Sequence, residues 1–158
     1  MAKKSPKSVC VAGAILAAVL LAVAGCQEGF TTGPGNGRCS IRSDSAHASS
    51  GTPGQMGGKA VMTCDVAVTD ARLEVRLEQK RGSSWALIAD NTKSAGKLAP
   101  FIGALAANQG ATRQAFAACA AGTYRTAARG SAALDGTPSK STAWEYSPAS
   151  TDPCAKGS

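Results

Sequence analysis

The 158-residue chain predicts an all-β fold, an antiparallel β-sandwich, and three observations carry that reading. Apolar and polar residues alternate with a period of two in several short segments, the repeat of an extended chain that buries one face. Turn signals separate those segments at the short spacing of a sandwich. Aromatic residues make up only 4% of the chain, so the core is shallow and the cysteines matter as cross-links.

The amino-terminal 25 residues stand apart from that pattern. Lys3, Lys4 and Lys7 precede an apolar run from Val9 to Gly25, and Cys26 follows. A charged start, an apolar stretch of this length and small residues at its end are the parts of an export signal. The residues Val23, Ala24, Gly25 and Cys26 resemble the lipobox of bacterial lipoproteins, in which the cysteine thiol is diacylated, for instance with palmitate, and the preceding peptide bond is cut. Two other readings compete. A permanent membrane span needs about 20 apolar residues, and this run ends at Gly25, Cys26, Gln27 and Glu28. An ordinary secretory cut would follow Ala24, since Ala22 to Ala24 form a small-x-small site.

Cysteine parity bears on the same question. Removing residues 1–25 removes Cys10 and leaves Cys26, Cys39, Cys64, Cys119 and Cys154. An odd thiol in an exported protein implies an intermolecular bridge or a reactive group. Acylation of Cys26 leaves four cysteines to close two bridges. Cleavage also removes three lysines and no acid, taking the formal charge from +7 to +4. That balance suits residence beside anionic lipid or wall polymer and lacks the clustered basic surface of a nucleic-acid binder.

The expected organisation is therefore a signal peptide over 1–25, a lipidated cysteine and flexible tether over 26–58, and a sandwich domain over 59–158. The tether reading rests on the Gly, Ser, Thr and Pro of the segment, densest from Thr31 to Gly37. Within it, Arg38 to Arg42 can form a short edge strand held by Cys39. In the domain, Met62, Cys64, Val66 and Val68 share one side of an extended chain. Next, Leu73, Val75 and Leu77 alternate with Arg72, Glu74, Arg76 and Glu78, whose side is expected to meet water. Lys80 to Ser84 form a turn, and Trp85 to Ala89 return as the third strand of a hairpin. From Asn91 to Gln114 the signal fades. Alanine favours helix, so Phe101 to Ala107 and Ala111 to Ala121 can each hold a helical turn or short helix, with a strand favoured around Cys119. Gly122 opens an extended segment to Leu134, with Tyr124, Thr126 and Ala128 on one face and Arg125 and Arg129 on the other. Asp135 and Gly136 turn the chain, and Thr142 to Tyr146 supply a last strand carrying Trp144.

The order Cys64, Trp85, Cys119, Tyr124 is similar to that of immunoglobulin-like sandwiches, and Cys119 to Arg125, C-x-x-G-x-Y-R, resembles small exported proteins of actinobacteria. The resemblance spans roughly Lys59 to Tyr146 and implies an immunoglobulin-like architecture. Four cysteines allow three connectivities. The favoured one joins Cys64 to Cys119, pinning one sheet to the other, and Cys39 to Cys154, tying the incoming chain to the outgoing one.

No constellation nominates an enzyme. The single histidine, His47, lies with Ser43, Asp44 and Ser45 in one loop, whereas a catalytic triad is assembled across a folded site. The cysteines lack paired zinc spacing and the acids lack a calcium-loop pattern, so no metal and no cofactor is expected. What remains is a surface. Arg72, Arg76, Arg125 and Arg129 project outward and form a candidate anionic-ligand stripe if their strands adjoin. As exposed groups, Arg125 and Arg129 are expected to tolerate replacement by Ser with shifts under about 0.5 kcal/mol.

The sequence thus predicts a lipid-anchored protein at the outer face of the bacterial cytoplasmic membrane, displaying a disulfide-stapled head for binding or as a structural envelope component. Its expected partners are the membrane, through the anchor, and an anionic wall polymer or another envelope protein. Nucleic acid is not among them. A prophage-encoded surface lipoprotein that excludes a second phage is the alternative, and an extracytoplasmic enzyme a distant third.

Overall fold

The computed structural model describes residues 29–32, 37–92, 99–139 and 141–155. The expected signal segment over 1–25 and the expected lipidation site at Cys26 lie outside the described residues. Among these the chain is nearly all strand, with no α-helix. One antiparallel sheet contains β1 (Gly29–Thr32), β2 (Gly37–Ser43), β3 (His47–Ala48), β4 (Gln55–Cys64) and β8 (Gly110–Ala118). The second contains β5 (Val68–Arg81), β6 (Ser84–Asp90), β7 (Phe101–Leu105), β9 (Thr123–Leu134), β10 (Thr137–Pro138), β11 (Glu145–Tyr146) and β12 (Ser150–Thr151). In the first sheet β4 is central, with β8 along one edge and β2 then β3 along the other. In the second, β5 and β9 pair at the centre. The outer edge of β5 carries β7 and β6 in succession, and that of β9 carries β10, β11 and β12.

The two sheets form the layers of a sandwich whose core includes Ile41, Met56 and Met62 from the first sheet and Leu73, Val75, Leu77 and Tyr124 from the second. Two glycines let the layers approach. A Cβ on Gly58 would stand 2.6 Å from Thr126 Oγ1, and one on Gly130 would stand 2.9 Å from Ile41 Cδ1 and Met62 Sδ. Alanines at 60, 71, 115, 128 and 132 continue the same economy of volume. A thin core of this kind gains less from burial per residue than a leucine-rich one.

The strand that sets the rest of the layout is β5. Inward residues occur at even positions up to Val68 and at odd positions from Ala71 onward. The change of parity is made by one extra residue in β5. The pairing with β7 steps from Val68↔Leu105 to Ala71↔Gly103, and Asp70 takes a left-handed φ of 50°. Aspartate tolerates that conformation better than most side chains. Past the bulge, every odd residue from Ala71 to Leu77 is buried, and every even one faces the other side of the sheet.

Both tight turns follow the sequence reading. Arg81↔Ser84 close a two-residue loop with Gly82 at φ 59°, and Leu134↔Thr137 close one with Asp135 and Gly136 at φ 48° and 74°. The latter is the doubly left-handed turn for which Asp-Gly is suited. Between β6 and β7 the edge of β5 is covered by a side chain. Asn91 N donates to Val75 O at 3.0 Å, and Asn91 Oδ1 accepts from Val75 N at 3.0 Å. Asn91 thus stands in for a strand residue where neither neighbour reaches.

Several expectations are corrected. The Gly and Ser rich segment to Gly58 is not all tether, because β2, β3 and the first residues of β4 lie within it. Met56, Gly58, Ala60 and Met62 share the inner face of β4, and small residues there suit a close inter-sheet approach. The extended run expected from Met62 to Val68 is two strands, since the chain leaves the first sheet after Cys64 and joins the second at Val68. No helical turn forms over 101–107 or 111–118. Alanine's helix preference is overridden by nine consecutive pairings of β8 with β4. The last strand is shorter than Thr142 to Tyr146, and Trp144 precedes it.

The disulfide connectivity also differs from that favoured above. Cys39 joins Cys64 and Cys119 joins Cys154. Cys39 and Cys64 are directly opposed on β2 and β4, so proximity within one sheet decides the pair. The inter-sheet link belongs to Cys119–Cys154. Cys119 follows β8 and its N–H donates to Gly54 O just ahead of β4, while Cys154 follows β12 of the second sheet. Beside this link, Tyr124 OH donates to Ala120 O, Gln79 Nε2 donates to Tyr124 OH at 2.8 Å, and Asp152 Oδ1 accepts from Gly122 N.

Two outcomes are expected. Peptide maps without reductant should contain Cys39–Cys64 and Cys119–Cys154 linked peptides, and the Cys119→Ala/Cys154→Ala variant should lose about 4 kcal/mol in urea unfolding. Gly130→Ala should cost about 1–3 kcal/mol through overpacking, because its new methyl would also meet the backbone oxygen of Arg72 at 3.0 Å, which cannot turn aside.

Candidate functional site

The outer face of the β5–β9 pair holds the four arginines singled out in the sequence. Past the Asp70 bulge, Arg72, Glu74, Arg76, Glu78 and Lys80 point outward from β5. The register sets Glu74 opposite Arg129 and Glu78 opposite Arg125, with Arg76 opposite Ala127. Opposed residues of an antiparallel pair share a face. One register therefore brings Arg72, Arg76, Arg125 and Arg129 together, as the stripe required.

The structure adds what sits among them. Glu74 Oε1 accepts from Arg72 Nε at 2.6 Å, and its Oε2 accepts from Arg129 Nε at 2.7 Å. Glu78 Oε1 lies 2.5 Å from Arg76 Nη2, and its Oε2 accepts from Arg125 Nε at 2.7 Å. Each carboxylate is thus held by one arginine of its own strand and one across the pair. Both are buried, with side chains 6% and 5% exposed, whereas Arg72 and Arg129 are 46% and 41% exposed. The negative charge lies beneath and the positive charge above.

Aromatic rings close over the inner arginines. The Arg76 guanidinium lies 3.9 Å from the Trp144 ring centre, and Arg129 lies 4.7 Å from the same ring. Arg125 lies 4.3 Å from Trp85 and 3.7 Å from Tyr146. Arg76 Nη2 donates to Tyr146 OH at 3.4 Å. Stacking of a weakly hydrated guanidinium on indole and phenol is favourable by about 0.5–2 kcal/mol each. The rings also shield the carboxylate pairs from water, which strengthens charge-assisted bonds and makes an unmatched charge costly. Arg76 Nε is buried without a hydrogen-bond partner among the described residues.

This arrangement corrects two expectations. The polar side of β5 does not simply meet water, because Glu74 and Glu78 are buried in ion pairs. Nor is Arg125 an exposed group, with four-fifths of its side chain covered. Trp85, Trp144, Tyr146 and the two glutamates are the members that the sequence reading left out. A signal for the pairs was present: Glu74 and Glu78 are four apart, as are Arg125 and Arg129, so one antiparallel register matches both. The rings carried no such mark, since β6 and the short β11 are set beside the ladder only by the tertiary fold.

The other nominated residues are not brought into a constellation. His47 is exposed, with Nδ1 3.0 Å from Ser45 O. Asp44 pairs with Lys59 at 3.1 Å and Arg42 at 3.5 Å, and Ser45 Oγ donates to Pro148 O. Among the described residues no three of His, Cys, Asp and Glu converge as metal ligands.

Arg125→Gln is expected to destabilise by about 2–3 kcal/mol, because Glu78 keeps one partner in place of two and the stacking on Trp85 and Tyr146 is lost. Arg42→Gln, with 61% of the side chain exposed on the other sheet, should change stability by under about 0.5 kcal/mol. Thermal and urea unfolding of the two variants makes the comparison. No family model matches the chain, and no similar protein was found among curated proteins or solved structures.

Proposed function

We propose that the protein is a lipid-anchored envelope component, acylated at Cys26 and displaying a disulfide-stabilised β-sandwich at the outer face of the bacterial cytoplasmic membrane, for binding or in a structural role. The observation that carries this reading is the cysteine arithmetic. All four cysteines after Cys26 are consumed in two disulfides. Such bonds form and persist in oxidising compartments, and an exported chain cut before Cys26 then has that thiol alone to dispose of. The lipobox-like Val23 to Cys26 names its use. Two acyl chains are sufficient for a stable hold, since each buried methylene contributes roughly 0.8 kcal/mol.

The position of β1 refines the picture. Gly29, its first residue, is three residues beyond Cys26, a span of at most about 10 Å. An anchor at Cys26 would hold the sandwich close against the headgroups, in place of the long spacer that the composition suggested.

Mass spectrometry of the mature protein is expected to find a diacylglyceryl group on residue 26. Cys26→Ala should leave the membrane fraction or remain uncleaved. An unmodified mature terminus at Gly25 would instead establish the ordinary secretory cut and a soluble product.

A further inference from the structure

The cations of the second sheet's outer face follow one another at a regular interval. Along the strand axis the order is Arg72, Arg129 opposite Glu74, Arg76, Arg125 opposite Glu78, and Lys80. They alternate between β5 and β9, and each step is two residues, about 6.7 Å. Two residues of extended backbone are six covalent bonds. Successive phosphates of a chain joined through a three-carbon polyol, glycerol, are also six bonds apart, from phosphorus through oxygen, three carbons and oxygen, and that spacing when extended is about 7 Å by the same geometry.

The geometry points to an extended phosphodiester polymer of the cell envelope, with a three-carbon polyol backbone, as the ligand of this face. Its binding rests on the envelope reading only for the choice of polymer. The layering of charge supports it: the two glutamates are buried and each holds its arginines through both oxygens, so solvent meets guanidinium and ammonium. Among the described residues no hydrogen bond engages the Nη groups of Arg72 or Arg129, whose Nε atoms hold Glu74. Those groups are donors ready to meet phosphate oxygens. Asp90, opposite Arg76 on β6, is turned to Thr92, whose N and Oγ1 donate to its Oδ1. The exposed large apolar side chains flank the row, with Leu87 opposite Glu78, Ile102 opposite Arg72 and Tyr146 opposite Ala127. They offer contact to the carbon backbone between phosphates. A nucleic-acid strand has the same six-bond interval, and the export signal is what disfavours it.

The chain's two tryptophans, Trp85 and Trp144, both lie on this face, so intrinsic fluorescence of the full chain in detergent reports the site directly. Titration with poly(glycerol phosphate) should change that fluorescence, and the affinity should fall steeply with salt. Arg72→Gln/Lys80→Gln, at the exposed ends of the row, should weaken binding by about tenfold at low salt. Arg38→Gln/Arg42→Gln removes the same charge from the other sheet and should leave binding within about twofold. Cooperative unfolding of both variants establishes that the fold is intact, with a lower midpoint for the Arg72 variant because Glu74 keeps one partner in place of two, and the wild-type titration stands if either variant unfolds. An unchanged tryptophan signal, equal weakening by the two double variants, or tighter binding of a single-stranded DNA oligonucleotide would each overturn the proposal. A protein that lacks the lipid yet binds the polymer defeats only the anchoring reading. One that carries the lipid yet ignores the polymer defeats only this inference.

Discussion

The pairing of β5 with β9 organises both sides of the second sheet at once. Its register sets Leu77 beside Thr126 and Val75 beside Ala128 toward the core, and Glu78 beside Arg125 and Glu74 beside Arg129 toward the outside. Because side chains alternate with period two, a slip of one residue would send the glutamates into the core and the apolar residues out. A slip of two would keep the faces but part each glutamate from its opposite arginine. The hydrophobic pattern therefore rejects odd errors and the ion pairs penalise even ones. Buried ion pairs are weak evidence of net stability, and their contribution here is to the choice of a single register.

The sandwich needs that specificity because its core has little shape of its own. Alanine and glycine at the inter-sheet contacts bring the layers close but interlock less than large side chains would. Covalent ties fill the gap at two places. Cys39–Cys64 fixes β2 against β4 near one end of the first sheet, and Cys119–Cys154 joins the two layers at the other end. The second tie works with a local network, in which Gly122 at φ 140° leaves room for Gln79 Nε2 to reach Tyr124 OH. Any Cβ on Gly122 would stand 2.6 Å from that nitrogen, so the loop, the tyrosine and the disulfide constrain one another.

The fold was legible where alternation is strong. The β5 and β9 patterns, the hairpin at Gly82 and the Asp135–Gly136 turn all carry their own local signals, and those segments form as read. Legibility ended where identity depends on partners. Strand β8 is too rich in alanine, and β7 at five residues too short, to declare a period, and pairing with β4 and β5 decides them. The disulfides depend on which strands adjoin, which spacing along the chain does not specify. For the candidate site, the four arginines and the outward side of each strand were readable from parity, but that the two strands adjoin comes from the pairing of β5 with β9. The burial of Glu74 and Glu78 was not, since alternating charge looks the same whether rings or water cover it.

The division of labour among the cations follows from depth. Arg76 and Arg125, about four-fifths covered and stacked on rings, are committed to holding Glu78 in a dry setting. Arg72, Arg129 and Lys80 stand farther out, and the first two touch Glu74 through Nε. Lysine in place of Arg129 would supply a single ammonium, able to hold the carboxylate or to face solvent with its charge, but without a second, oriented set of donors. A guanidinium does both, because Nε and the Nη groups leave the same plane in different directions. Arginine at the four positions that hold a carboxylate, and lysine at the end where none stands opposite, is thus what a row that grips buried acids while keeping donors toward solvent requires.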